Sequence, residues 1–101
     1  MPKSKVVSIV WTERSLQNAV SIKKYLSTHF SVKEVDHFYA ILQNFEIVVC
    51  AFPELYPHSL IQKSIRCAVL SKVLSAYYRI HKGKIEVIAL LDNRCDISNW
   101  I

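Results

Sequence analysis

Three arginines in the C-terminal half of this sequence have the clearest capacity to bind an anion. A guanidinium group binds a phosphate or a carboxylate through two parallel hydrogen bonds. If the strands around them alternate regularly, Arg66, Arg79 and Arg94 point to the same face of one sheet, with Tyr77 nearby. The spacing therefore predicts a binding surface for an acidic ligand on that face.

The same alternation assigns apolar residues to this open face, namely Leu70, Ile88 and Leu90. Apolar side chains on a sheet face that no helix covers indicate that another molecule covers them. The opposite, helix-facing set is predicted to be Leu74, Ala76, Tyr78, Ile80, Ile85, Val87, Ala89 and Leu91. A simpler interpretation stays open for the arginines, because cross-strand pairs with Glu86 or Asp92 are common. For Arg79 and Glu86 we favour that simpler interpretation.

Metal and thiol chemistry find little support in the sequence. Cys50, Cys67 and Cys95 are far apart and form no CxxC or Cys/His spacing of the zinc-binding kind. We expect reduced thiols that fill space, with no metal and no cofactor. His29 and His37 are predicted to lie on helix surfaces.

The apolar periodicity divides the chain into strands and helices. The predicted elements are a strand at 6–11, helices at 13–29 and 32–51, and strands at 64–71, 73–81 and 84–91. Thr12 is a good helix N-cap, and Ser31 with Glu34 has the spacing of a capping box. The second helix must end before Pro53, because the residue before a proline avoids helical geometry. Two helices with almost no loop between them predict an antiparallel hairpin.

The only glycine, Gly83, lies between the last two predicted strands. A tight hairpin needs a residue at positive φ, which glycine adopts without steric cost. The element order predicts an α+β fold in one domain, 1–101, with the helix hairpin on one face of a mainly antiparallel sheet. The position of the first strand in the sheet stays open.

Composition favours a soluble basic protein. Thirteen Lys and Arg against eight Asp and Glu give a formal net charge of +5 and a pI near 9.2, which suits nucleic acid or an acidic protein segment as partner. The first residues lack the long apolar region of a signal peptide, and no stretch approaches the ~20 apolar residues of a membrane span. We therefore expect a cytoplasmic protein without a membrane partner.

The order and spacing of several segments resemble the RelE/ParE superfamily of toxins from bacterial type II toxin–antitoxin modules. The segments are "VWTERSLQNAV", "FPELYP", "IRCAVLSK" and "AYYRIHKGKIEVIALLDNR", and together they span nearly the whole chain. "FPELYP" and "DNR" are most similar to ParE-type, plasmid-stabilisation members. The resemblance implies a growth-inhibiting toxin with the RelE/ParE fold, neutralised by a cognate antitoxin.

Two targets follow from the resemblance. RelE-type members cleave mRNA in the ribosomal A site, whereas ParE-type members lack that catalytic set and poison DNA gyrase. RelE-type enzymes place an arginine where Arg66 stands, another basic residue near Arg94, and a tyrosine or histidine near the C-terminus. Here the tail aromatic is Trp100, whose indole cannot act as an acid or base, although it can stack on a base. His58 and His81 lie in a connector and a hairpin turn, which are poor places to fix a proton-transfer group.

We therefore expect a ParE-like toxin that binds DNA gyrase, and lean away from enzymatic activity. The alternatives are a ribosome-dependent mRNA endonuclease using Arg66 and Arg94, or a degenerate toxin fold kept for partner binding. The antitoxin is expected to cover the open face and hide both arginines. Whether the toxin forms a homodimer stays open.

Overall fold

Residues 8–94 form one four-stranded sheet with two helices packed on one of its faces, as described by a computed structural model. The elements are β1 (Ser8–Trp11), α1 (Glu13–His29), α2 (Val32–Ala51), β2 (Arg66–Val69), β3 (Leu74–His81) and β4 (Lys84–Asp92). Both helices have the predicted boundaries, and the predicted α+β class is confirmed. The predicted strand at 64–71 is shorter than expected, and residues 6 and 7 of the first predicted strand lie outside the described range.

The strand order is β1-β4-β3-β2. β1 runs parallel to β4, and β3 is antiparallel to both of its neighbours. The hairpin between β3 and β4 turns at Lys82 and Gly83, whose φ angles are 52° and 75°. Two successive positive φ values are those of a type I′ turn, so the predicted role of the single glycine is confirmed.

The helix N-termini confirm one predicted cap and correct the other. The hydroxyl of Thr12 accepts a hydrogen bond from the Ser15 backbone N–H at 3.2 Å, as an N-cap does. Ser31 is the N-cap residue of α2, but its side chain makes no capping hydrogen bond. The predicted capping box is wrong because the Glu34 carboxylate accepts a hydrogen bond from Arg94 instead.

A β-bulge in β4 changes which side chains face the helices. Tyr78 pairs with Val87 and Tyr77 pairs with Ala89, so Ile88 is an extra residue between them. One added residue reverses the alternation of everything that follows it. Val87 and Leu90 are therefore both in the core although they are three residues apart, and the exposed fraction of Leu90 is 1%.

This reversal corrects several predicted orientations. Ala89 and Leu91, predicted to face the helices, line the open face, whereas Leu90, predicted to be open, is buried. Asp92 was also predicted to be open and is fully buried. The α1 helix secures the bulge, because the Thr12 hydroxyl donates to the Val87 carbonyl at 2.9 Å and the Leu90 N–H donates to Asn18 at 3.1 Å.

The core between helices and sheet combines aliphatic and aromatic side chains. Its fully buried members include Ile22, Leu26, Phe38, Phe45, Val49, Leu74, Tyr78, Ile85 and Val87. Phe45, Tyr56 and Tyr78 form a triangle of rings with centroids 6.0 to 6.2 Å apart. Tyr56 belongs to the connector (residues 52–65) between α2 and β2, so aromatic packing fixes that connector against the core.

Candidate protein-binding surfaces

The three arginines of the predicted anion site lie in three separate places. Arg66 is opposite Tyr78, a core residue, and therefore lies on the helix side of the sheet. Arg79 lies on the open face and pairs with Glu86, as the simpler interpretation predicted. Arg94 follows Asp92, which is opposite Leu74. The prediction of a convergent arginine surface is wrong.

Arg66 binds protein rather than presenting a free guanidinium group. Its Nη1 donates to the backbone carbonyl of Tyr56 at 2.7 Å and to that of Glu54 at 3.3 Å. Both carbonyls belong to the connector. The side chain therefore ties the edge strand β2 to the connector.

Arg94 is held by two carboxylates and an aromatic ring. Its Nε and Nη2 donate to the two oxygens of Asp92 at 3.0 and 2.8 Å, and its Nη1 donates to Glu34 at 3.1 Å. The guanidinium carbon lies 5.4 Å from the centroid of the Phe30 ring. The hydrogen bonds that Arg94 donates to the Asp92 carboxylate are the largest cause of the raised pKa of Arg94. This arrangement clamps the end of β4 to the turn between the helices.

The two arginine sites lie at different places in the sheet. Arg66 pairs with Tyr78, whereas Arg94 lies two residues beyond the last residue of β4. Their guanidinium groups are held by different partners, the connector carbonyls for Arg66 and two carboxylates for Arg94, so the structure does not direct them at one phosphate. Trp100, the remaining aromatic of the predicted site, lies outside the described residues.

The open face carries a mainly apolar cleft, which Arg14 also lines, and neither Arg66 nor Arg94 is part of it. The cleft has a volume of about 270 Å³ and lies between the sheet and the connector. Its lining residues include Tyr77, Ile88, Ala89, Leu91, Ile65 and Ile61. Burial, followed by the neighbouring Cys67, raises the pKa of Tyr77, so this phenol is neutral at physiological pH. Tyr77 and Ile88 are thus on one surface, as predicted, and that surface is partly roofed by the protein itself.

A second apolar surface runs along α2 on the other side of the sheet. Two cavities of about 270 Å³ each share His37 and Ile41 in their walls. One extends toward Val69 and Leu70, and the other toward the Ser71–Leu74 turn and Arg94. Leu70, predicted for the open face, therefore belongs to this groove. Sequence reasoning missed the groove because it depends on how far α2 lies from β2.

The groove adjoins the outer edge of β2. The Leu70 N–H donates to Leu74, so in this antiparallel pair the alternate residues Cys67 and Val69 turn their backbone groups outward. The Cys67 N–H donates to Pro57 at 2.9 Å, but within residues 8–94 the backbone groups of Val69 have no partner. An exposed strand edge of this kind can accept an added strand.

Other chemistry finds no support in the described part of the chain. Within residues 8–94, no three His, Cys, Asp or Glu side chains cluster as a metal site would require. Cys50 and Cys67 are free thiols, and burial followed by Glu46 raises the pKa of Cys50. None of the described helices is long and apolar enough to cross a membrane.

Comparison with known proteins identifies the fold. No family model matches the sequence, and no curated protein matches it. Among solved structures, a chain described as "Chromosomal ParDE TA system from P. aeruginosa" has a TM-score of 0.75 at 12% sequence identity. The alignment covers 88% of this chain and 98% of that chain. The protein therefore has the RelE/ParE toxin fold that its sequence predicts.

Proposed function

We propose that this protein is the toxin of a bacterial type II toxin–antitoxin module, a ParE-like member that inhibits DNA gyrase by binding it. The observation that carries the proposal is the fold likeness to a chain of a ParDE system, because the alignment covers 98% of that chain. Within the superfamily, the resemblance of "FPELYP" and "DNR" to ParE-type members favours a ParE-like over a RelE-like toxin.

The positions of the arginines favour binding over RNA cleavage. Cleavage through a ribose 2′-OH needs cations that face the phosphate in the transition state. Arg66 is occupied by two connector carbonyls, and Arg94 by two carboxylates. Releasing Arg94 for catalysis would leave the fully buried Asp92 carboxylate without its cation, which is costly in the protein interior, and releasing Arg66 would break its bond to the part-buried Tyr56 carbonyl. A gyrase-binding activity needs no such release.

The proposed antitoxin partner has two surfaces available to it. An acidic segment with apolar anchors could add a strand at Val69 and place a side chain in the groove along α2. The Lys72 and His37 side chains near that groove suit carboxylates on such a segment. The edge and groove replace the open face as the expected place for the antitoxin, because the connector partly roofs the open face.

Three assays separate the proposed function from its alternatives. Expression from a tightly repressed promoter in bacteria without the antitoxin should arrest growth, and co-expression of the antitoxin should restore it. The protein made by cell-free synthesis should inhibit DNA supercoiling by purified gyrase, while mRNA in a translating extract should stay intact. Cleaved mRNA with unaffected gyrase would replace the proposal with the endonuclease. Absence of growth arrest would leave a degenerate fold kept for partner binding.

A further inference from the structure

We propose that the tip of the connector, Leu60 and Ile61, is a rigid apolar projection that inserts into a pocket on a folded partner protein, the target of the proposed toxin. This inference rests on the proposed function for the identity of the partner, but not for the existence of the site. Two observations carry it: the exposure of the tip and the number of hydrogen bonds that hold the loop below it.

The tip is the most exposed apolar feature in the described part of the chain. The exposed fractions are 103% for Leu60 and 94% for Ile61. The same connector also exposes Phe52 and Leu55, at 63% and 59%. Single exposed apolar residues are ordinary on soluble proteins, whereas two adjacent ones that are both almost fully exposed indicate an interaction site.

The base of the loop is closed like a small β-hairpin. His58 and Arg66 form an antiparallel bridge, and the Ser59 N–H donates to the Ile65 carbonyl at 2.7 Å. One step further along, the Cys67 N–H donates to the Pro57 carbonyl at 2.9 Å. The tip therefore extends from a paired stem.

Hydrogen bonds within the loop continue up to the tip itself. The Ile61 N–H donates to the Ser59 hydroxyl at 3.1 Å, and the Ile65 N–H donates to the Gln62 carbonyl at 3.0 Å. The His58 Nδ1 lies 2.6 Å from the Lys63 carbonyl oxygen and donates a hydrogen bond to it. These bonds hold the loop in shape although its two most exposed apolar side chains, Leu60 and Ile61, contact solvent.

A loop that is already ordered loses little conformational entropy on binding. A few residues that fill pockets carry most of the binding energy at protein interfaces, and holding them in the bound shape beforehand lowers the cost of binding. A fold gains nothing from holding Leu60 and Ile61 in water, since neither contributes to the core. The geometry therefore serves an interaction with another molecule.

The shape and charge of the tip indicate the chemistry of the partner. A convex projection fits a preformed pocket on a folded protein, whereas a flexible segment needs a groove or a strand edge on this chain. Lys63 and His58 flank the tip, in a chain with a net charge of +5. The matching pocket is apolar at its base and carries carboxylates at its rim.

The test compares two double variants of the full chain. Leu60→Ser with Ile61→Ser removes the tip, and Val32→Ser with Ile47→Ser removes two side chains of 75% and 69% exposure from α2. Circular dichroism and thermal unfolding should match the wild type for both, because none of the four side chains is buried. The tip variant should lose growth arrest and bind purified gyrase at least tenfold more weakly, while the α2 variant should behave as the wild type.

The proposed toxin function and the tip proposal can be refuted independently of each other. If the wild-type chain and the tip variant both arrest growth, the tip proposal is overturned and the proposed function stands. If the wild-type chain does not arrest growth, the proposed function fails, and a photo-crosslinking amino acid at position 60 decides the tip. The tip proposal is supported if position 60 gives a discrete protein adduct that the additional Ile61→Ser change removes, and if the same amino acid at position 47 gives none. Absence of such an adduct overturns the tip proposal. Binding of the wild type, but not of the tip variant, to vesicles of anionic phospholipid would also overturn it in favour of a membrane.

Discussion

Replacing Arg94 with alanine should destabilise the protein far more than replacing another paired arginine. Asp92 is fully buried, whereas the Arg94 side chain is 24% exposed. The Arg94→Ala variant leaves the Asp92 carboxylate in the core without its cation and without two side-chain hydrogen bonds, although the backbone N–H of residue 94 still donates to it at 2.8 Å. A carboxylate left in this way is costly because the protein interior solvates charge poorly.

The expected loss of unfolding free energy is about 3 kcal/mol, the lower end of the ~3 to 5 kcal/mol found when one partner of a buried pair is removed. The lower end applies because the backbone hydrogen bond remains. For a domain of this size, that loss corresponds to a decrease in Tm of about 12 °C.

Arg79→Ala is the matched control, since Arg79 also pairs with a carboxylate but lies on the surface. The side chains of Arg79 and Glu86 are 44% and 29% exposed, and a surface pair contributes about 1 kcal/mol or less. Urea unfolding followed by far-UV circular dichroism measures both variants. A loss for Arg94→Ala no larger than that for Arg79→Ala would show that the clamp does not stabilise the fold. A large loss would mean that toxicity assays of Arg94 variants need a measurement of the folded fraction beside them, because these variants are less stable as well.

Two further changes test other buried polar contacts. Burial is the main cause that raises the pKa of Tyr78 from its usual 10 to about 12. The unfolded chain therefore loses this proton at lower pH than the folded protein, and the free energy of unfolding should fall by about 3 kcal/mol between pH 10 and 12. The Tyr78→Phe variant should lose the 2.7 Å hydrogen bond to Pro53, but its stability should no longer fall between pH 10 and 12. The control Tyr39→Phe, at a 44% exposed position, should show the same fall in stability as the wild type. An unchanged fall in Tyr78→Phe would show that Tyr78 is not its cause. Asn18→Ala should cost about 1 to 3 kcal/mol in chemical denaturation, because the Leu90 N–H at the bulge loses its acceptor, and a cost near zero would show that the bulge needs no support from α1.

The elements of this fold could be predicted from sequence where local chemistry determines them. Thr12 caps α1 through its own side chain, and Pro53 prevents the continuation of α2. Gly83 marks the turn because Lys82 and Gly83 both need positive φ. Each of these signals acts within a few residues, and each prediction is confirmed.

The faces of β4 could not be predicted, because the cause lies on another element. Residues 87–91 are all apolar, so the sequence contains no alternation there to set the phase. The bulge at Ile88 is secured by Thr12 and Asn18 on α1, more than 70 residues away. This error in phase placed Leu90 and Arg94 on the wrong face. Arg66 was placed on the wrong face for a separate reason, because the register between β2 and β3 pairs it with the buried Tyr78.

The arginines and the lysines of this chain differ in whether their charges are paired within the protein. Within residues 8–94, Arg79 and Arg94 form ion pairs with carboxylates, and no lysine takes part in one. The charges of these two arginines are thus largely neutralised at fixed positions, whereas Arg66 donates to neutral backbone carbonyls and ties β2 to the connector. The positive field that reaches solvent comes mainly from lysines on flexible stems, which attract an acidic partner over long range and raise the association rate in a salt-dependent way. If the proposed tip at Leu60 and Ile61 supplies the affinity for that partner, salt should slow association more than it speeds dissociation.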